Sequence, residues 1–131
     1  MALDVPLVLM TRFFLLVSER KFAEAERVLE RIRVRMNQNR RREFNQGYLD
    51  ALNGIILSYR SGGSYEFFRN LDLSDVSALK KHYEDFKRNA GSRFQADYDR
   101  GYFSALSDFL RVIIKNVERT EGENIRSENS S

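Results

Sequence analysis

Apolar residues recur along most of this chain at helical spacing. Between Lys21 and Met36 they stand at Phe22, Ala25, Val28, Leu29, Ile32 and Met36, which is one stripe of an amphipathic helix. Asn37-Gln38-Asn39 offers a turn, after which Phe44, Tyr48, Ala51, Leu52, Ile55, Ile56 and Tyr59 keep the same period until Ser61-Gly62-Gly63 breaks it. A short Ser64-capped turn carrying Tyr65, Phe67 and Phe68 is expected to plug the core. Asp72 or Ser74 then caps a helix with Val76, Leu79, Tyr83 and Phe86 that stops near Asn89-Ala90-Gly91, where Gly is a natural terminator. A last long helix is expected from about Ser92, with Phe94, Tyr98, Tyr102, Ala105, Leu106, Phe109, Val112, Ile113 and Val117 on its stripe. Residues 1–118 therefore read as a single helical domain. The Thr, Glu, Gly, Asn and Ser of 119–131 have nothing to bury and read as a disordered polar tail.

The first segment is different, because Leu3, Val5, Leu7, Val8, Leu9, Met10 and Phe13 to Val17 form a nearly continuous apolar run. Thr11 and Arg12 interrupt it, and it falls short of the roughly 20 apolar residues that a membrane helix needs. Asp4 before it and Ser18-Glu19-Arg20-Lys21 after it do not make a secretory signal. The segment reads as a helix with Asp4 as N-cap and Pro6 in the first turn, apolar on nearly all sides. Such a helix must be covered on more than one side, by its own domain or by a second subunit. A cytoplasmic protein without membrane attachment is expected.

Self-similarity appears at an offset of 54, which places Phe44-Asn45-Gln46-Gly47-Tyr48-Leu49-Asp50-Ala51-Leu52 on Tyr98-Asp99-Arg100-Gly101-Tyr102-Phe103-Ser104-Ala105-Leu106. At the same offset Phe22, Ala25, Leu29 and Ile32 fall on Val76, Leu79, Tyr83 and Phe86, and Asn37 falls on Gly91. The expected architecture is an all-α bundle of about five helices: two long hairpins related by an internal pseudo-repeat, plus a buried N-terminal helix. Gly inside a helix costs about 0.5–1 kcal/mol against Ala, so its presence at the same place in both copies implies that removing a side chain gains something. Gly47 and Ala51, like Gly101 and Ala105, lie four apart on one face. That face suits a close crossing of the two long helices, or else a groove lined by Tyr48 and Tyr102.

Composition narrows the chemistry. The chain has 131 residues with no Cys and one His, which excludes disulfides, thiol catalysis, thiolate zinc sites and imidazole clusters. His82 stands among Lys80, Lys81, Glu84 and Asp85 as an ordinary helix-face imidazole. Carboxylates are the remaining route to a metal. Glu43, Asp97, Asp50, Asp99 and Asp108 lie on the two long helices, but without the strict three-residue spacing of helical carboxylate metal sites. Ser61-Gly62-Gly63-Ser64 lacks the Lys of a phosphate loop. No cofactor and no catalytic residue is assigned, and function by binding is expected.

Charge adds one candidate site. The net charge is +3, yet Arg31, Arg33, Arg35, Arg40, Arg41 and Arg42 fall in twelve residues that contain no acid. Arg31 and Arg35 share a helix face, and Arg40, Arg41 and Arg42 stand across the turn, so the tip of the first hairpin is a basic surface suited to phosphates or to an acidic protein. The second copy has Asn89, Phe94, Gln95 and Ala96 where the first has Arg35, Arg40, Arg41 and Arg42, so the fold does not require the cluster. Two functions are carried forward. One is a helical scaffold that engages a protein partner or a second copy through its N-terminal helix; the other is an RNA- or DNA-binding accessory protein.

Lys21-Phe22-Ala23-Glu24-Ala25-Glu26-Arg27-Val28-Leu29 resembles part of a tetratricopeptide-type helix, which implies hairpins stacked side by side. The likeness covers under a tenth of the chain, and the period of 54 differs from the roughly 34 of that family, so no family is assigned.

Overall fold

The structure is a computed structural model that describes residues 5–37, 41–61, 72 and 74–129, with the side chains of residue 61 and of residues 123–129 outside the description. The described residues form five helices and no strand: α1 Leu7–Ser18, α2 Phe22–Met36, α3 Arg42–Ser61, α4 Val76–Ala90 and α5 Asp97–Asn129. None of them is long and apolar enough to cross a membrane. The all-α bundle expected from the periodicity is the fold observed. Asp4, Arg40 and the turn of Tyr65, Phe67 and Phe68 lie outside the described residues.

The helix ends show why the chain breaks where it does. Pro6, not Asp4, occupies the N-cap position of α1, with an extended backbone and no side-chain cap. At the other end Arg20 adopts a left-handed φ of 62°. The amide of Lys21 returns to the Leu16 carbonyl at 2.9 Å and that of Arg20 to Val17 at 3.0 Å, the two bonds of a Schellman ending. An Arg in this conformation lacks the freedom of Gly, and its guanidinium is anchored by donating to the Tyr59 carbonyl at 2.9 Å. The cap of α4 is Asp75, which accepts from the Ala78 amide at 3.1 Å. Asp72 instead closes a small turn on the Ser74 amide and hydroxyl, which hold its carboxyl below the ordinary range.

The long helices supply the frame. α3 and α5 run side by side in the same direction, since the Phe44 backbone meets Gly101 near their starts and the Tyr59 and Phe109 rings meet at 6.1 Å further along. α2 returns antiparallel to α3, tied by Asn45 to the Met36 carbonyl at one end and by Arg60 to Glu26 at the other. α4 returns antiparallel to α5, with Lys80 on Glu118 at 2.8 Å and Arg100 on the Ala90 carbonyl at 3.2 Å. The two hairpins are not packed alike: α4 lies closely along α5, whereas α2 packs mainly on α1 and only lightly on α3. The apolar register of the pseudo-repeat is therefore shared by two hairpins with different neighbours.

The N-terminal helix explains that difference. Met10, Phe13, Phe14, Leu16 and Val17 are buried among α2, α3 and α5, with Phe14 edge-on to Phe109 at 5.6 Å. α1 thus takes the place beside α2 that a symmetric pair of hairpins would leave open. On its opposite side Leu7 and Val8 are exposed.

Two boundaries differ from the sequence reading. α5 begins at Asp97 rather than near Ser92, because the Ser92 hydroxyl and carbonyl turn the chain onto Phe94 and Gln95, leaving Phe94 88% exposed. The segment expected to be a disordered tail is instead helical through Asn129. Among the described side chains, packing against the core ends at Val117, and beyond it local bonds such as Thr120 to the Asn116 carbonyl at 2.9 Å extend the helix. Elongation of an existing helix needs no apolar face, since each added residue contributes its own backbone bond.

Candidate functional site

Gly47 and Gly101 form a reciprocal crossing. A Cβ at Gly47 would stand 1.9 Å from the Tyr98 carbonyl oxygen, and one at Gly101 would stand 2.0 Å from that of Phe44. Each glycine receives the backbone of the opposite helix one turn before the other glycine. The ring pairs beside them are matched too, with Phe44 stacked on Tyr48 at 6.4 Å and Tyr98 on Tyr102 at 6.5 Å. Tyr48 is wholly buried and Tyr102 half-buried, so the two do not line an open groove together.

Close to the crossing, Tyr48 of α3 meets Asp108 of α5. The Tyr48 hydroxyl donates to Asp108 Oδ2 at 2.8 Å, and Arg111 reaches Asp108 Oδ1 at 3.4 Å. Burial raises the Asp108 carboxyl above its ordinary value, against the opposing pull of the Tyr48 hydroxyl and of Arg111. Burial, reinforced by the Asp108 charge, keeps the Tyr48 phenol protonated well above its usual range. Burial also pushes Tyr59 up to about 12. The Tyr48–Asp108 bond ties α3 to α5, and Arg111 backs the carboxylate from its own helix. Among the described residues no group of three His, Asp or Glu side chains is arranged to hold a metal.

The basic tip is at the end of the bundle where α2 stops and α3 and α5 begin. Arg31, Arg35 and Arg42 are exposed, and none forms an ion pair among the described residues. Arg41 is half-buried with its guanidinium 3.9 Å over the Phe44 ring, a cation–π contact that sequence spacing did not anticipate. Arg33 pairs with Glu30 at 3.2 Å. A cleft lined by Asn37, Arg42, Glu43, Gln46 and Tyr98 opens beside Arg42. In its wall Asn45, 5% exposed, donates to the Met36 carbonyl at 3.0 Å while its Oδ1 has no partner. Asp50 accepts from both Gln46 at 2.8 Å and Tyr98 at 2.6 Å. The exposed Phe94, with Arg93 over its ring at 5.4 Å, belongs to the α4–α5 turn at the same end.

A second surface lies on the N-terminal helix, which the sequence reading expected to be covered, and the structure adds its α5 neighbour. α1 presents Leu7 and Val8 to solvent, 61% and 78% exposed, although both belong to its apolar run. Beside them a groove between α1 and α5 is floored by the half-buried Leu15 and the buried Val112, with Leu7 and Thr11 on the α1 side and Arg111, Lys115, Asn116 and Arg119 along the α5 wall. The outer flank of α1 adds a further apolar hollow lined by Leu7, Val8, Leu15 and Leu16 and edged by Arg12 and Glu19. The missed signal lies in α5: Arg111, Lys115 and Arg119 stand at every fourth position beside the apolar stripe, but which helix would run alongside them is a tertiary matter.

Comparison with protein-family models, with curated proteins and with solved structures finds no match for this chain.

Proposed function

We propose that this protein works by binding, as a helical adaptor whose α1–α5 face docks a protein partner. The observation that carries the reading is the uncovered apolar edge of α1, Leu7 and Val8, contiguous with a groove whose floor is also apolar. Large side chains at 61% and 78% exposure gain free energy on being covered, about 25 cal/mol for each Å² of apolar area removed from water. A photo-crosslinking residue at position 8, with one at Glu84 on the exposed side of α4 as control, tests this in cells. Adducts destroyed by protease at position 8 and absent at 84 are expected; their absence at position 8 refutes the reading. Light scattering separates self-association through α1, the other form of the same reading, from a different partner.

A second reading has its own observation. Arg31, Arg35 and Arg42, exposed and without an ion pair among the described residues, suit a flexible polyanion, and the exposed Phe94 at the same end of the bundle offers a ring for a base. Binding of generic RNA and DNA followed by anisotropy at low and physiological salt is expected to be steeply salt-dependent. Replacing the three arginines by Ala is expected to weaken all sequences alike, and an unchanged affinity refutes a polyanion site.

A further inference from the structure

We infer that the α1–α5 groove takes an acidic amphipathic helix, with its carboxylates repeating every four residues; this rests on the docking role proposed above for the same face. Three features specify the occupant. The first is shape. The floor is recessed, since Leu15 is half-buried and Val112 only 8% exposed between α1 and α5, so a side chain inserted from a helix reaches it and a flat surface does not. Helices seat against one another in this way, ridge into groove, and a peptide helix in an apolar groove is a recurring recognition mode.

The second feature is charge. The wall carries Arg111, Lys115 and Arg119, and among the described residues no carboxylate lines the groove. Asp108 partly neutralises Arg111 from behind at 3.4 Å, and Arg119 leans on the Asn116 amide oxygen at 3.1 Å, while Lys115 and Arg119 are exposed and form no ion pair among the described residues. The unsatisfied charge of the wall is therefore positive. α1 contributes in the same sense, because its first turn holds no acid and no side-chain cap.

The third is spacing. Cations four residues apart on one helix recur about every 6 Å along its axis. A helix lying alongside meets that repeat with acids at i, i+4 and i+8, and the positions between them turn Leu, Met or Phe into the floor. A second copy fits less well. A two-fold contact would set the same patch against itself and bring the cations of each wall toward those of the other, which is repulsive. A bilayer fits less well too, because it would cover Leu7 and Val8 but leave Leu15 and Val112 unreached.

The test uses the full chain and a labelled synthetic helix of about five turns, carrying Leu on one face and Glu at i, i+4 and i+8. A second peptide has Gln in place of each Glu, and vesicles of phosphatidylglycerol and phosphatidylcholine provide the membrane arm. Two variants lie at exposed positions that the core does not use, the double charge reversal Lys115→Glu with Arg119→Glu, and Val8→Asp. The Glu peptide is expected to bind, the Gln peptide and the charge-reversed protein to bind about tenfold or more weakly, and Val8→Asp to weaken both peptides. If both peptides bind alike and Val8→Asp weakens both, the docking role stands and the acidic occupant is refuted. A dimer that Val8→Asp separates, with no peptide bound, gives the groove to a second copy. Vesicle binding without peptide binding gives it to a bilayer. If none of these is seen, the docking role falls together with the inference.

Discussion

Replacing Gly47 or Gly101 by Ala is the sharpest test of how the bundle is held. A Cβ at Gly47 falls 1.9 Å from the Tyr98 carbonyl oxygen, 2.8 Å from its carbon and 3.1 Å from the Tyr102 nitrogen. At Gly101 the corresponding contacts are 2.0, 2.8 and 3.0 Å, all to the backbone of Phe44. Backbone atoms in the middle of a crossing have no rotamer to change, so α3 and α5 must separate by roughly 1 Å to restore van der Waals distance. That separation opens the packing around Phe109 and lengthens the Tyr48–Asp108 bond. Ala returns about 0.5–1 kcal/mol in helix propensity, while overpacking typically costs about 1–3 kcal/mol, and rigid backbone contacts on this scale fall at the upper end. Each single substitution should therefore lose about 1–2 kcal/mol net, or several degrees in Tm for a chain of this size. The two losses should be less than additive, because one separation relieves both contacts. Gly91→Ala is the control: its Cβ meets only the Lys87 and Arg88 carbonyls at 3.6 and 3.9 Å, so stability should stay within about 0.5 kcal/mol. Urea unfolding of the two singles, the double and the control decides the matter. A neutral or stabilised Gly47→Ala or Gly101→Ala would refute the close crossing.

Two further expectations concern buried polar groups. Burial raises the Asp108 carboxyl above its ordinary 3.8, so the native state holds its proton more tightly than the unfolded chain; its contribution to stability is full below that value and declines as pH rises through the raised native value. Asp108→Asn keeps an acceptor for the Tyr48 hydroxyl without the charge, and its stability relative to the parent should improve as pH rises from about 4 toward neutrality; a difference that is flat or of opposite sign across that range, measured by denaturant unfolding, would contradict the burial argument. Asn45→Asp should be more destabilising than Asn45→Ala at neutral pH, because Asp loses the donor to Met36 and places a charge where Oδ1 already lacks a partner. Loss of the bond to Met36 by Ala should cost about 1 kcal/mol, and thermal melts showing Asp as stable as Asn would mean that a donor reaches this site.

Much of the architecture is written locally. The three- and four-residue spacing of Phe22 to Met36 and of Phe44 to Tyr59 specifies helices whatever they pack on, because an apolar stripe at that period has no other regular structure to bury it. The paired glycines were visible as a shared Gly-Tyr-x-x-Ala-Leu, and the requirement for a missing side chain was deducible from helix propensity alone. The boundaries were less legible. Ser92 to Ala96 has the apolar Phe94 in register with α5, yet the Ser92 hydroxyl turns the chain and leaves that ring in solvent. Residues beyond Glu118 have no apolar face, and the helix nonetheless continues from the turn before.

Periodicity along one chain says which face of a helix is apolar, but not which neighbour covers it. Local pattern along the chain specified about five helices, an arginine-rich turn and two helical positions that favour a missing side chain. Only the tertiary structure decided that the glycines meet each other's helices, that Tyr48 is sealed on Asp108 rather than open to a ligand, and that α1 sits beside α2. That last placement leaves Leu7 and Val8 uncovered next to the cations of α5, residues about a hundred positions away in the chain. A surface made by two distant helices has no local signature, because its chemistry exists only once packing has set one beside the other.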